Sequence, residues 1–122
     1  MSPLRILLVD DSLPFLDLAT RFLSAEGFIE VVGRAFSGSE ALTQVLQLRP
    51  DLVLMDLAMP GMNGLEATRQ IKLQVDPPHV IMLTLNDSSE YRTAAEAVGA
   101  DGFVPKLDFS DALLPLIAKL IQ

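Results

Sequence analysis

Five residues of this 122-residue chain are of types that could handle a phosphoryl group: Asp10, Asp11, Asp56, Thr84 and Lys106. Each stands at or just past the end of a short apolar run. Three carboxylates brought within a few ångströms of one another cannot all stay ionised unless a cation joins them. Hard oxygen donors with no histidine or cysteine partner suit Mg2+, which keeps several waters and takes one or two carboxylates plus a phosphate. A hydroxyl and a flexible ammonium beside such a site supply the donor and the countercharge that a phosphoryl group needs. Taken singly, each residue has a plainer reading. Asp10-Asp11 can cap a helix, Thr84 can be an ordinary β-branched strand residue, and Lys106 a solvated loop cation. Their chemistry is joint, so it depends on the elements that bring them together.

Those elements are legible as apolar runs at Leu4–Val9, Ile29–Val32, Leu52–Leu57, Val80–Leu83 and Gly102–Val104, with helical spacing between them. Runs that recur roughly every 22 to 28 residues, separated by helices, make βαβ crossovers and a parallel sheet. The central runs are apolar on both faces, as strands covered on two sides must be. The spacing therefore predicts an α/β fold of three layers, five strands alternating with five helices. Right-handed crossovers favour the flavodoxin-like strand order 2-1-3-4-5, with the switch point between strands 1 and 3. Strands 1 and 3 end in Asp10-Asp11 and Asp56, so the order itself makes the acids neighbours. Helix starts are marked by Ser37-x-x-Glu40, Asn63-x-x-Glu66 and Asp87-x-x-Glu90. Gly27 and Gly99 are placed to close the first and fourth helices. Pro115 requires that the last helix either start near Asp111 or bend.

Composition narrows the class. One domain, residues 1–122, is expected, large enough for its own core. The absence of cysteine removes disulfides and thiolate metal sites. The start, MSPLRILLVDD, is too briefly apolar for a signal peptide or a membrane span, so a cytoplasmic domain is the expectation. The acidic excess of 16 over 9, a net charge of −7, argues against direct nucleic-acid binding by this domain. His79, the only histidine, starts the fourth strand opposite the acids and reads as structural.

Four stretches at these positions, LLVDD, LVLMDLAMPGMNGLEA, Thr84 and GADGFVPK, carry a resemblance over essentially the whole chain. It resembles the receiver domain of a bacterial two-component response regulator, most similar to the LuxR/NarL type. The resemblance implies that Asp56 accepts a phosphoryl group from a phosphohistidine on a sensor histidine kinase or phosphotransfer domain. Mg2+ would be held by Asp10, Asp11, Asp56 and the main-chain carbonyl of Ala58. Lys106 would neutralise the phosphoryl group, Thr84 would turn to donate to it, and Phe103 would follow as the switch aromatic. A homodimer or effector contact would form through helix 4, strand 5 and helix 5, with a transcriptional output.

Some positions depart from the common pattern. Lys106 is followed by Leu107 and preceded by Pro105, so no cis Lys–Pro bond can form, and Phe103 stands where many relatives carry Tyr. Ala58, Leu85 and Asn86 are expected to tune rates: Leu85 by narrowing the donor's path, Ala58 and Asn86 by their control of an attacking water. A moderate to long phosphorylated lifetime is expected. On helix 1 the periodicity predicts an inward stripe of Phe15, Leu18, Ala19 and Phe22. That leaves Leu13 and Leu16 exposed as a kinase-docking patch. Two rival classes share the architecture. A haloacid-dehalogenase-like phosphatase wants a second acid after the nucleophile, which Asp56-Leu57-Ala58 lacks. A phosphorylation-independent interaction module would need none of the five residues.

Overall fold

The computed structural model describes residues 2–121. The chain forms β1 (Leu4–Val9), α1 (Leu13–Ser24), β2 (Ile29–Ala35), α2 (Gly38–Leu48), β3 (Leu52–Asp56), α3 (Gly64–Lys72), β4 (His79–Thr84), α4 (Ser89–Ala97), β5 (Gly102–Pro105) and α5 (Phe109–Leu120). A single 3₁₀ turn, Lys106–Asp108, leads into α5. All strand pairs are parallel and the order is β2-β1-β3-β4-β5, as the crossover argument predicts.

Side chains alternate across each central strand and so divide the core in two. Ile6, Leu8, Leu52, Leu54, Ile81 and Leu83 pack with α1 and α5. Leu7, Val9, Val53, Met55, Val80 and Met82 pack on the other face with α2, α3 and α4. This two-sided burial explains why β3 is buried along its whole length. Among the described residues no helix is long and apolar enough to cross a membrane.

Two of the three predicted helix starts hold. Ser37 Oγ accepts from Glu40 N–H, and Asn63 Oδ1 accepts from Glu66 N–H. The third lies one residue later: Ser88 caps α4 by accepting from Tyr91 N–H, while Asp87 pairs with the Arg92 guanidinium at 2.8 Å. Gly99 has the left-handed backbone of a helix end (φ 91°), whereas α1 ends on Ala25 in a right-handed conformation and Gly27 plays no such part. α5 starts at Phe109, so Pro115 lies inside it. The amide it lacks would have bonded Asp111, an exposed residue whose carbonyl water can serve.

The expected face of α1 is corrected. Leu16, Ala19 and Leu23 are the residues buried against the sheet, and Leu16 is only 1% exposed. Leu18 points outward and, like Leu13, is 52% exposed. Phe15 and Phe22 reach sideways to Phe109 of α5, at 5.4 and 5.3 Å between ring centroids. The helix thus packs against two neighbours, sheet and α5. A stripe drawn through the two phenylalanines was rotated away from the sheet contact. Leu16 is therefore a core residue and not part of a docking patch. The apolar side chains of α5 are likewise mostly used internally: Leu113 and Ile117 are buried, and Leu114, Leu116 and Leu120 pack against the same core.

Candidate functional site

Sheet register delivers the five residues to one edge. Val9 pairs with Met55, Asp56 with Leu83, and Thr84 with Pro105. Asp10 and Lys106 each stand one residue beyond the last pair of their strand. Around them lies a cleft of about 230 Å³ lined by Asp10, Asp11, Ser12, Asp56, Ala58, Thr84, Leu85, Asn86, Tyr91 and Lys106.

The turn after β3 is built to hold Asp56 in place. Gly61 takes a left-handed backbone (φ 75°), and Gly64 at the start of α3 is pressed against the Asp56 carbonyl. A Cβ at Gly64 would overlap that carbonyl oxygen, so only glycine lets α3 begin here. Asp10 is fixed differently: its Oδ1 accepts from Ser12 N–H at 2.9 Å, and Ser12 in turn caps α1 through Phe15 N–H. The plain reading of Asp10-Asp11 as the cap itself is thereby replaced by Ser12.

One carboxylate oxygen from each of Asp10, Asp11 and Asp56 falls within 4.8 Å of the others. Asp10 and Asp56 are buried and Asp11 is exposed. Lys106 Nζ lies 2.6 Å from Asp10 Oδ2 and 3.5 Å from Asp56 Oδ1. The Asp10 contact is close but lacks hydrogen-bond alignment, leaving that buried oxygen without a true donor. One ammonium therefore serves two acids, with the third carboxylate close to both. Burial first, and then the Asp10 charge, push the Asp56 carboxyl up to about 6; Lys106 pulls it down and Asp11 adds a smaller push. Undercompensated oxygen donors of this kind fit a hard divalent cation, and they fit Mg2+ on donor chemistry.

On the other side of the cleft, Thr84 Oγ1 accepts from Asn86 N–H (3.0 Å) and donates to the Asn86 carbonyl (3.2 Å). Its hydroxyl is thus engaged with its own loop. Phe103 is half-buried on β5, and the Arg92 guanidinium lies 4.6 Å from its ring centroid. Leu85 lines the cleft while 74% exposed. Ala58 and Asn86 line it too. The Lys106–Leu107 bond is trans, since no cis peptide occurs among the described residues.

Sequence reasoning missed three groups. Ser12 and Tyr91 line the cleft, and Phe15 lies with its ring centroid 4.5 Å from Lys106 Nζ. Ser12 was legible as a serine before an apolar helix with Pro at its second position. Tyr91 and Phe15 gave no signal, because each comes to the site through packing of its helix.

The response regulator receiver domain model matches residues 6–117 of the chain. A protein-glutamate methylesterase/protein-glutamine glutaminase of Nocardioides sp. is 44% identical over 134 residues, covering 99% of this chain and 37% of the relative. The response regulator VraR of Staphylococcus aureus is 40% identical over 116 residues, covering 90% of this chain and 54% of the relative. The chain thus spans about half or less of the length of these curated relatives. A crystal structure of a LuxR-family two-component response regulator from Aurantimonas sp. has a TM-score of 0.92 at 31% identity, covering 98% of this chain and 86% of that one. With the sheet, its edge and these relatives in agreement, the chain belongs to the response regulator receiver domain family of two-component signalling.

Proposed function

We propose that this domain is a phosphoacceptor switch in which Asp56 takes a phosphoryl group from a phosphohistidine of a sensor histidine kinase or phosphotransfer domain. The observation that carries this reading is the shared cation. Lys106 stands between Asp10 and Asp56, with a third carboxylate in reach and too little positive charge for all. Asp10, Asp11, Asp56 and the Ala58 carbonyl would hold Mg2+, whose charge offsets the anionic oxygens of donor and acceptor when bound.

In the transfer, an Asp56 oxygen forms a bond to phosphorus while the phosphorus–nitrogen bond of the phosphohistidine breaks. The leaving imidazole keeps the electron pair. Lys106 is already within reach of the acceptor oxygen and neutralises charge on the incoming group. The product acyl phosphate adds about −2 charge and three acceptor oxygens beside Thr84. Thr84 then exchanges its Asn86 partner for a phosphoryl oxygen, and Phe103 follows into the space vacated. A switch of this kind needs a difference of only a few kcal/mol between states.

Hydrolysis requires a positioned water. Ala58 cannot orient one and Asn86 can, which favours a moderate to long lifetime, while exposed Leu85 restricts donors at the rim. Leu13 remains as an exposed α1 contact for the kinase. The α4–β5–α5 face is the candidate surface for a homodimer or an output domain, with transcription regulation in the cytoplasm as the favoured output.

Intact-mass measurement after incubation with acetyl phosphate tests the reading. One phosphoryl adduct is expected on the wild type with Mg2+, and none on Asp56→Asn or in excess chelator. No adduct on the wild type would support the interaction-module alternative, and an adduct on Asp56→Asn would put the acceptor at another residue.

A further inference from the structure

Lys106 is held from three sides, and only two of them are acids. Its side chain is 9% exposed, so water has little access to the ammonium. Asp10 and Asp56 take two directions, and the Phe15 ring lies on a third, its centroid 4.5 Å from Nζ. The ring is itself packed against another aromatic. Phe109, buried at the start of α5, meets it edge-on at 5.4 Å and 75°, and Phe22 packs on Phe109 from two turns further along α1.

We propose that Phe15 is a positioning residue for phosphoryl transfer, holding the Lys106 ammonium on its ring face where the phosphoryl group arrives. This rests on the phosphoacceptor reading of Asp56. A carboxylate partner alone would be a poor holder, because Lys106 must leave Asp10 in part to meet the new oxygens. An aromatic face attracts a cation with little directional demand, so the ammonium can slide toward the phosphoryl group without losing that contact. A straight aliphatic side chain of the same size fills the space but carries no quadrupole. The contribution therefore lies in the transfer step and not in donor binding.

The test is the initial rate of adduct formation against acetyl phosphate concentration, at fixed Mg2+, for wild type, Phe15→Met, Phe15→Tyr and Lys106→Met. Methionine suits the same apolar volume, and a melting curve for each variant reports folding. Phe15→Met is expected to lower the limiting rate about 3- to 30-fold with little change in half-saturating concentration. Phe15→Tyr, which keeps the ring, is expected to stay within about 2-fold of wild type. A Phe15→Met rate equal to wild type, or a Phe15→Tyr rate as low as that of Phe15→Met, overturns the proposal. A wild-type rate in Lys106→Met would likewise overturn it, whereas an adduct formed on Asp56→Asn would overturn the reading on which it rests.

Discussion

Two lysine–aspartate pairs of nearly equal length sit at opposite edges of the same sheet. At the amino edge, Lys72 Nζ is 2.7 Å from Asp101 Oδ2. That oxygen also accepts from Val80 N–H, and Lys72 donates in addition to the Pro78 carbonyl. His79 adds a weaker contact to the other Asp101 oxygen at 3.6 Å. At the carboxyl edge, Lys106 Nζ is 2.6 Å from Asp10 Oδ2 but must also serve Asp56, with Asp11 close by. The first cluster has a donor for each carboxylate demand; the second has three carboxylates for one cation.

The consequences for charge are opposite. Burial raises the Asp101 pKa, but hydrogen bonds from Lys72 and Val80 more than offset it, and the carboxyl ends below its usual value. Asp56 ends above it, at about 6. An ion pair of good length thus says little about role. What separates a structural pair from a site is whether the surrounding donors balance the acids.

The contrast can be broken by removing one carboxylate at each edge. The larger effect is expected at Asp56. A folded pKa raised to about 6 means that the folded chain holds a proton the unfolded chain releases near pH ~4. Stability from this group is therefore full below the unfolded value and is lost as pH rises through about 6. Without Mg2+, Asp56→Asn is expected to match wild type near pH 4 and to exceed it above pH 6.5 by up to about 3 kcal/mol. Urea denaturation at the two pH values checks this, and added Mg2+ should narrow the gap. At the amino edge the sign reverses. Asp101→Asn is expected to lose about 1–2 kcal/mol at pH 7, the pair being partly exposed, and to lose less as pH falls below the usual carboxylate value. Equal signs for the two variants at pH 7 would erase the distinction between the edges.

Much of this was readable from residue order. Parallel strands ending in Asp10, Asp56 and Thr84, with Lys106 just past the last, converge because register is fixed by two-sided burial of β3 and β4. What escaped was set by packing between helices. Leu16 and Leu18 differ by two positions on α1, and packing against both the sheet and Phe109 of α5 turns Leu16 inward. Phe15 reaches Lys106 through that same contact. The cap expected at Asp87 fell on Ser88 because an arginine five residues after Asp87 claims the acid. The Asp101–Lys72 pair joins residues 29 apart and left no periodic trace.

Of the two edges compared, the carboxyl edge is the one short of positive charge, so it is the edge expected to take a divalent cation. Calorimetric titration of Mg2+ into wild type, Asp10→Asn, Asp56→Asn and Asp101→Asn tests it most directly. One site is expected in wild type and in Asp101→Asn, with affinity at least ~10-fold weaker in Asp10→Asn and Asp56→Asn. Equal affinity in all four proteins, or loss confined to Asp101→Asn, would contradict the account.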